Sequence, residues 1–216
     1  MRRLWMSLLL VPVLAVAVPT AALASSSAPA AATTTTTTTT AATATSVLQL
    51  GMKGSAVKAL QRRLAALKYY PGAIDGQFGT DTLEAVWAFQ EVQGLPGRDY
   101  VSAAMQRALA DPRAPKVLDR GAGANRIEVN LASEVLVLYH DNSIQLISHV
   151  SSGGGYYFCS PGGGCGYAIT PAGNFKTIVY LPGWVQVPLG EMYNPVFFIG
   201  TAYAIHGDTD VPLAPV

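Results

Sequence analysis

The segment Tyr203-Ala204-Ile205-His206-Gly207 decides how the rest of the chain is interpreted. It is a short apolar strand that ends in a histidine and a glycine, and similar short strands precede it from about residue 126. A histidine at a strand end is either a packed side chain or a general base for a nearby nucleophile. The segment therefore predicts a β-rich domain and makes His206 the first candidate functional residue.

Residues 119–216 predict a mostly antiparallel β domain with almost no helix. Apolar residues alternate over 127–131, and the β-branched and aromatic segment 135–139 is followed by a polar turn at 140–143. The later predicted strands cover residues 144–150, 175–181, 184–187, 196–199 and 203–205. The glycine-rich stretch 153–166 lacks the Gly-Lys-Ser/Thr ending of a phosphate-binding loop, and we expect a mobile loop there.

Cys159 and Cys165 are the only cysteines, and both lie in this glycine-rich stretch. In an exported chain such a close pair most simply forms a disulfide that closes a small loop. The two alternatives are a reactive Cys–His pair with His206 and a zinc site. A zinc site would lack the usual ligand spacing and a fourth ligand, so we expect no metal and no cofactor.

Residues 47–118 predict a small three-helix bundle, which makes the fold class multi-domain α and β. The first helix presents an apolar face at spacings of three and four residues, with Ser55 as its cap. The second follows a glycine-punctuated loop at 75–79, is capped by Thr80 or Asp81, and ends at Gly94. The third runs from Ser102 to Ala110.

The N-terminal 46 residues predict export. Residues 1–24 combine a basic start, an apolar run and a small-residue cleavage site, which is typical of a secretory signal peptide; an uncleaved anchor is the alternative. Residues 25–46 are almost entirely Ala, Thr, Ser and Pro, so we expect a disordered linker. No later stretch predicts a membrane span, which leaves no stable span once the signal is cleaved.

Charge gives no specific partner. Residues 47–118 carry a net charge of +3 and residues 119–216 a net charge of −4, a contrast that supports two separate domains with a boundary near 118. Neither region has the basic-aromatic pattern of a nucleic-acid surface. The oligomeric state is open.

A set of motifs in the helical region resembles the peptidoglycan-binding domain 1 family over about residues 47–112. These are Gly54-Ser55-Ala56-Val57, Leu60-Gln61, Tyr69-Tyr70-Pro71-Gly72, Ile74-Asp75-Gly76-Gln77-Phe78-Gly79, Thr82-Leu83-Glu84-Ala85-Val86 and Phe89-Gln90. The resemblance implies a non-catalytic module that binds peptidoglycan, with glycan and stem peptides as partner. The chain departs from the family at 97–101, where an Asp-Gly turn before a valine is more usual.

Candidate peptidoglycan contacts lie in and beside the loop of this module. They are Tyr69, Tyr70, Asp75 and Phe78. Aromatic faces stack on sugars, although the tyrosines could instead pack in the core. Asp75 and Glu84 could also form a glycosidase carboxylate pair, but an aspartate is common in glycine-rich turns and a glutamate suits the first turn of a helix.

Motifs from about residue 126 to 216 resemble the L,D-transpeptidase catalytic domain family of the YkuD type. They are Ser151-Ser152-Gly153-Gly154, Thr170-Pro171-Ala172-Gly173-Asn174-Phe175, Met192 with Phe197-Phe198, and Ala204-Ile205-His206-Gly207. The resemblance implies cysteine-dependent acyl transfer that cross-links peptidoglycan stem peptides, with His206 as general base. It places Met192, Phe198, Tyr203 and Gly207 at the substrate cleft.

The family motif Ser-His-Gly-Cys-x-Arg, expected about fifteen residues after the histidine, does not occur in these 216 residues. We therefore expect a β domain that is incomplete at its C-terminus and inactive as a transpeptidase. The alternatives are a non-catalytic wall-binding protein with a remnant β scaffold, and a hydrolase that uses Cys159 or Cys165.

Overall fold

The computed structural model describes residues 47–160, 164–188 and 190–215. The expected signal peptide (1–24) and linker (25–46) lie outside these residues. Three helices precede a mostly antiparallel β region, as the sequence predicts. The described residues belong to one compact unit, and in them no helix is long and apolar enough to cross a bilayer.

The helices are α1 (Ser55–Ala66), α2 (Thr80–Gln93) and α3 (Ala103–Ala110). The predicted caps of α1 and α2 are wrong by at least one residue, because Gly54 and Gly79 hold the non-helical N-cap positions without a side-chain bond. Ser102 does cap α3, since its hydroxyl accepts a hydrogen bond from the Met105 amide. Gly94 ends α2 in the left-handed conformation (φ 66°), as predicted.

A three-stranded antiparallel sheet follows, formed by β3 (Arg126–Asn130), β4 (Val135–His140) and β5 (Ser143–His149). Two short strands, β1 (Leu48–Gln49) and β2 (Tyr100–Val101), pair with each other within the helical module. Asp141 and Asn142 both have positive φ, 48° and 59°, which is typical of a tight hairpin turn. The alternating pattern and turn chemistry thus predict this sheet well.

The helical module and the β3–β5 sheet share a hydrophobic core. The buried cluster includes Leu64, Phe89 and Met105 from the helices together with Val137 and Ile147 from the sheet. The amide of Ile147 donates to the carbonyl of Lys68 at 2.8 Å, which ties β5 to the end of α1. The boundary predicted at residue 118 stays a prediction, but buried side chains pack across it.

The described residues of the glycine-rich stretch form paired strands and not the mobile loop that we expected. Strands β6 (Gly154–Cys159) and β7 (Cys165–Ile169) pair antiparallel, with Cys159 directly opposite Cys165. The prediction was wrong because it weighed the glycines above the aromatic residues between them. Tyr157 and Tyr167 are cross-strand partners with ring centroids 5.1 Å apart, a contact that stabilises paired strands.

The remaining strands form a second sheet: β8 (Val179–Tyr180), β9 (Trp184–Val187), β10 (Gly190–Ile199) and β11 (Tyr203–Gly207). Strand β10 is central, with β11 along one edge and both β8 and β9 along the other. The predicted strand 175–181 is reduced to two residues because β9 pairs with residues 190–193 of β10, which leaves Val196 and Phe197 for β8.

Candidate functional site

His206 lies near the end of β11, and its side chain is exposed. Its Nδ1 is 2.9 Å from the carbonyl oxygen of Gly207. Since a carbonyl only accepts hydrogen bonds, this contact places the proton on Nδ1 and leaves the lone pair of the neutral ring on Nε2. Nε2 is therefore the atom of His206 that can accept a proton from a nucleophile.

Strand alternation separates His206 from three of the four predicted cleft residues. Tyr203 and Gly207 lie on one face of β11, and His206 lies on the other. Phe198 contacts Tyr203, with ring centroids 6.2 Å apart, and so belongs to the face away from His206. Met192 is next to Tyr193, the partner of Gly207, and alternation therefore puts it on the His206 face.

The face opposite His206 carries a row of aromatic side chains. Phe175 lies 5.3 Å from Phe198, which in turn contacts Tyr203. At the other end of β11, Gly207 lies against Tyr193, and a Cβ on Gly207 would come within 3.3 Å of that ring. The glycine thus allows a close approach of Tyr193, a residue that sequence reasoning missed.

Cys159 and Cys165 are joined by a disulfide, with an S–S distance of 2.05 Å. Because these are the only two cysteines in the sequence, no free thiol is left to pair with His206. Neither sulfur can act as a thiolate nucleophile while the bond is intact. Among the described residues, no group of three or more His, Cys, Asp and Glu side chains is arranged to hold a metal ion.

The four candidates in the helical module fall into two groups. Tyr69 and Phe78 are core residues, 3% and 2% exposed, and the Tyr69 ring packs edge-on against Phe89 at 5.4 Å. Burial raises the pKa of the Tyr69 hydroxyl, which is consistent with its position in the core. We therefore correct their predicted sugar contact to a packing role. Tyr70 is 61% exposed and remains a candidate.

Asp75 shapes the loop that it lies in. Its carboxylate accepts hydrogen bonds from the Gln77 amide (2.8 Å), the Gln61 side chain (3.1 Å) and the Gln77 side chain (3.1 Å). The Gln77 backbone bond is the main cause of a lowered Asp75 pKa, followed by the Gln61 bond. These bonds indicate a charged turn former and not a glycosidase acid.

Gln61 is the residue that fixes this loop, and it was not among the predicted site residues. Its side chain is 1% exposed. Its Oε1 accepts from the Gly76 amide at 2.8 Å, and its Nε2 lies within 3.1 Å of oxygens of Asp75, Gln77 and Thr82. The quoted Leu60-Gln61 motif contains the only sequence signal for this role.

A second missed feature is a buried acid–base pair. His149 at the end of β5 contacts Glu91 on α2, with Nδ1 and Oε1 2.8 Å apart. The two residues are 58 positions apart, and neither lies in a recognisable motif.

The comparisons with known proteins follow this architecture. Residues 53–99, which contain α1, the 75–79 loop and α2, match the family model described as a putative peptidoglycan binding domain. No curated protein matches the chain.

Among solved structures, the chain is similar to the L,D-transpeptidase (residues 123–326) from Xylanimonas cellulosilytica. The two are 33% identical with a TM-score of 0.72, over 78% of this chain and 82% of that one. It is also similar to the SleB N-terminal domain (39% identity, TM-score 0.29, 30% of this chain and 88% of that one). A third is a Burkholderia AP3 phage endolysin (34% identity, TM-score 0.30, 32% of this chain and 26% of that one). The similarity to the Xylanimonas cellulosilytica structure covers 78% of this chain, which is more than the helical region or the β region contains by itself.

Proposed function

The chain belongs to the L,D-transpeptidase family, and on this premise we propose that it is an exported, peptidoglycan-binding protein of the cell wall. The observation that carries the proposal is the 33% identity to an L,D-transpeptidase over 78% of the chain. The match of residues 53–99 to a peptidoglycan-binding model supports the wall as partner. The signal-like residues 1–24 support export.

The reaction that family membership implies is acyl transfer through a cysteine. A thiolate attacks the carbonyl carbon of a stem-peptide amide, and the tetrahedral intermediate collapses to a thioester as the terminal D-amino acid leaves. An amine of a neighbouring stem then attacks the thioester, which forms the cross-link and restores the thiol. In this scheme Nε2 of His206 takes the thiol proton and returns it to the leaving amine.

We propose that these 216 residues bind peptidoglycan and do not transfer acyl groups. The disulfide occupies both sulfur atoms, and the sequence contains no Ser-His-Gly-Cys motif. The alternative is a non-catalytic wall-binding protein with a remnant β scaffold. A reading frame that continues past codon 216 into Ser-His-Gly-Cys-x-Arg favours a fragment of an active enzyme, and a stop codon there favours the alternative.

Co-sedimentation of the purified chain with isolated peptidoglycan tests the binding role. We expect wild type to sediment with the wall and Tyr70→Ala to bind about fivefold more weakly, because one aromatic contact contributes on the order of 1 kcal/mol. Tyr180→Ala is the matched control, since Tyr180 is similarly exposed (57%) but lies in the β region. Failure of the wild-type chain to sediment would refute the binding role, and unchanged binding of Tyr70→Ala would remove Tyr70 from it.

A further inference from the structure

The segment that leaves β11, residues 208–215, runs back to the helical module. The carbonyl of Pro212 accepts a hydrogen bond from Nε2 of His149 at 2.8 Å, and the carbonyl of Ala214 accepts one from the Ser151 hydroxyl at 2.9 Å. Between them, Leu213 packs on Gly97, where a Cβ would come within 3.0 Å of a Leu213 methyl group. Three consecutive residues are therefore held in place, Leu213 against the helical module and Pro212 and Ala214 against the end of β5.

His149 is the centre of this contact. It is 4% exposed, and the edge of its ring meets Trp87 of α2 at a centroid distance of 5.4 Å. One ring nitrogen contacts Glu91 of α2 and the other contacts Pro212 of the segment, both at 2.8 Å. The imidazole thus bridges the helical module and the segment that follows the His206 strand.

The two partners of His149 determine how many protons the pair must hold. Both a carboxylate and a carbonyl oxygen are acceptors, so two hydrogen bonds at 2.8 Å require a proton on each ring nitrogen, or a proton on Glu91. An imidazolium with a carboxylate and a neutral imidazole with a carboxylic acid contain the same number of protons. In either form the pair retains one proton that a neutral imidazole facing a carboxylate would lack.

The charges around the pair favour keeping that proton. Burial would lower the pKa of His149, but hydrogen bonds to Glu91 and Pro212 and the negative charges of Glu91 and Glu84 outweigh burial and raise it. Burial raises the pKa of Glu91, and the charge of Glu134 adds to this against the opposing effect of His149.

The other charged groups near the pair are of both signs. Burial raises the pKa of Glu84. The negative charges of Asp81 and of Asp210, which lies in the segment itself, add to this rise, and the charge of His149 opposes it. Lys116 and Glu128 line a cavity of about 150 Å³ that Glu91 also lines. Oε2 of Glu91 is buried and has no hydrogen-bond partner among the described residues, so Oε1 is the oxygen that holds His149.

We propose that Glu91 and His149 form a proton-dependent clasp, in which His149 is the positioning residue that fixes segment 208–215 to α2. This segment begins directly after Gly207, the last residue of β11, so the clasp anchors the chain that leaves the His206 strand. The proposal goes beyond the wall-binding function and does not depend on it.

Loss of the proton opens the clasp for a simple reason. A neutral imidazole has only one N–H, so it can donate to Glu91 or to Pro212 but not to both. The other ring nitrogen then directs its lone pair at the lone pair of an oxygen, and that hydrogen bond is lost. In the unfolded chain His149 loses its proton near pH 6.5, whereas the folded pair keeps it to higher pH. The stabilisation is thus fully present below about pH 6.5 and is lost as pH rises through the raised pKa of the folded state.

Nuclear magnetic resonance on the purified chain tests the clasp directly. We expect nuclear Overhauser contacts between the Leu213 methyl groups and the Gly97 α-protons at about pH 6, and their loss at higher pH with the same midpoint as the His149 ring titration. Contacts that persist unchanged while His149 titrates would overturn the proposal, as would a His149 midpoint below about 6.5.

Glu91→Gln and Ser151→Ala are the paired variants. The side-chain amide that Glu91→Gln introduces can donate to a neutral Nδ1 while Nε2–H still donates to Pro212, so we expect the Leu213–Gly97 contacts of this variant to become independent of pH. Ser151→Ala removes one bond to the segment but no titrating group, and should keep the wild-type midpoint. A pH-dependent loss of contacts in Glu91→Gln at the wild-type midpoint would contradict the clasp.

Discussion

Replacing Gln61 by methionine tests whether one buried amide holds the 75–79 loop in place. Methionine has nearly the same length and shape, so the change removes hydrogen bonds with little change in packing. The change removes the hydrogen bond that Oε1 of Gln61 accepts from the Gly76 amide. It also removes the hydrogen bonds that Nε2 of Gln61 donates to oxygens of Asp75, Gln77 and Thr82. Of the four, the bonds with Gly76 and Thr82 are buried, and the Gly76 bond is the shortest at 2.8 Å.

The expected loss of unfolding free energy is about 3 kcal/mol. Leaving the Gly76 amide buried without an acceptor costs about 1–3 kcal/mol, and the two Nε2 protons account for about 1 kcal/mol each. Burial of an apolar methionine in place of a polar amide offsets about 1 kcal/mol of this sum. For a folded unit of this size the change corresponds to a fall in melting temperature of about 10 °C.

Urea denaturation followed by tryptophan fluorescence measures the change. Gln106→Met is the matched control, because Gln106 lies in α3 half-exposed and its side chain makes no hydrogen bond among the described residues. We expect that control to stay within about 0.5 kcal/mol of wild type. A Gln61→Met variant within the same range would refute the role of Gln61, whatever the wall affinity of the variant.

Two further predictions concern the core and the hairpin. Ile147→Ala should destabilise the chain by about 2–5 kcal/mol in a single transition, because Ile147 belongs to the core that the helices and the β3–β5 sheet share; two separate transitions by fluorescence and circular dichroism would contradict that core. Reducing the Cys159–Cys165 disulfide should destabilise the hairpin by about 2 kcal/mol. Because β6 and β7 pair only with each other among the described strands, amide exchange should accelerate in β6 and β7 and not in β4; acceleration in both would contradict this.

Local chemistry in the sequence was enough to predict much of the fold. Gly94 ends α2 because glycine adopts the left-handed conformation without steric cost, and Asp141-Asn142 turns the β4–β5 hairpin for a related reason. The same local reasoning failed for the described residues of the 153–166 stretch, where strand pairing between aromatic residues overrides the flexibility of the glycines. Local propensity is decisive only where no distant partner competes.

The candidate site was harder to predict because its contacts are distant in sequence. Motif positions gave Tyr69 and Phe78 as sugar contacts, yet packing of α1 and α2 buries both side chains. Predicted cleft residues were separated by strand alternation, which depends on a register that the sequence does not specify by itself. The contact between Glu91 and His149 bridges 58 residues, and no local pattern indicates it.

The measurement that tests the central claim most directly is release of a terminal D-amino acid from tetrapeptide stems by the purified chain. Peptidoglycan fragments are incubated with the chain, with and without a reducing agent, and products are identified by mass spectrometry. We predict no release and no new cross-link in either condition. Without the reducing agent both cysteine sulfurs are held in the disulfide, and with it the two freed thiols still lie outside the Ser-His-Gly-Cys motif, which these 216 residues do not contain. Release in either condition would contradict the claim, and release that requires the reducing agent would identify Cys159 or Cys165 as the nucleophile.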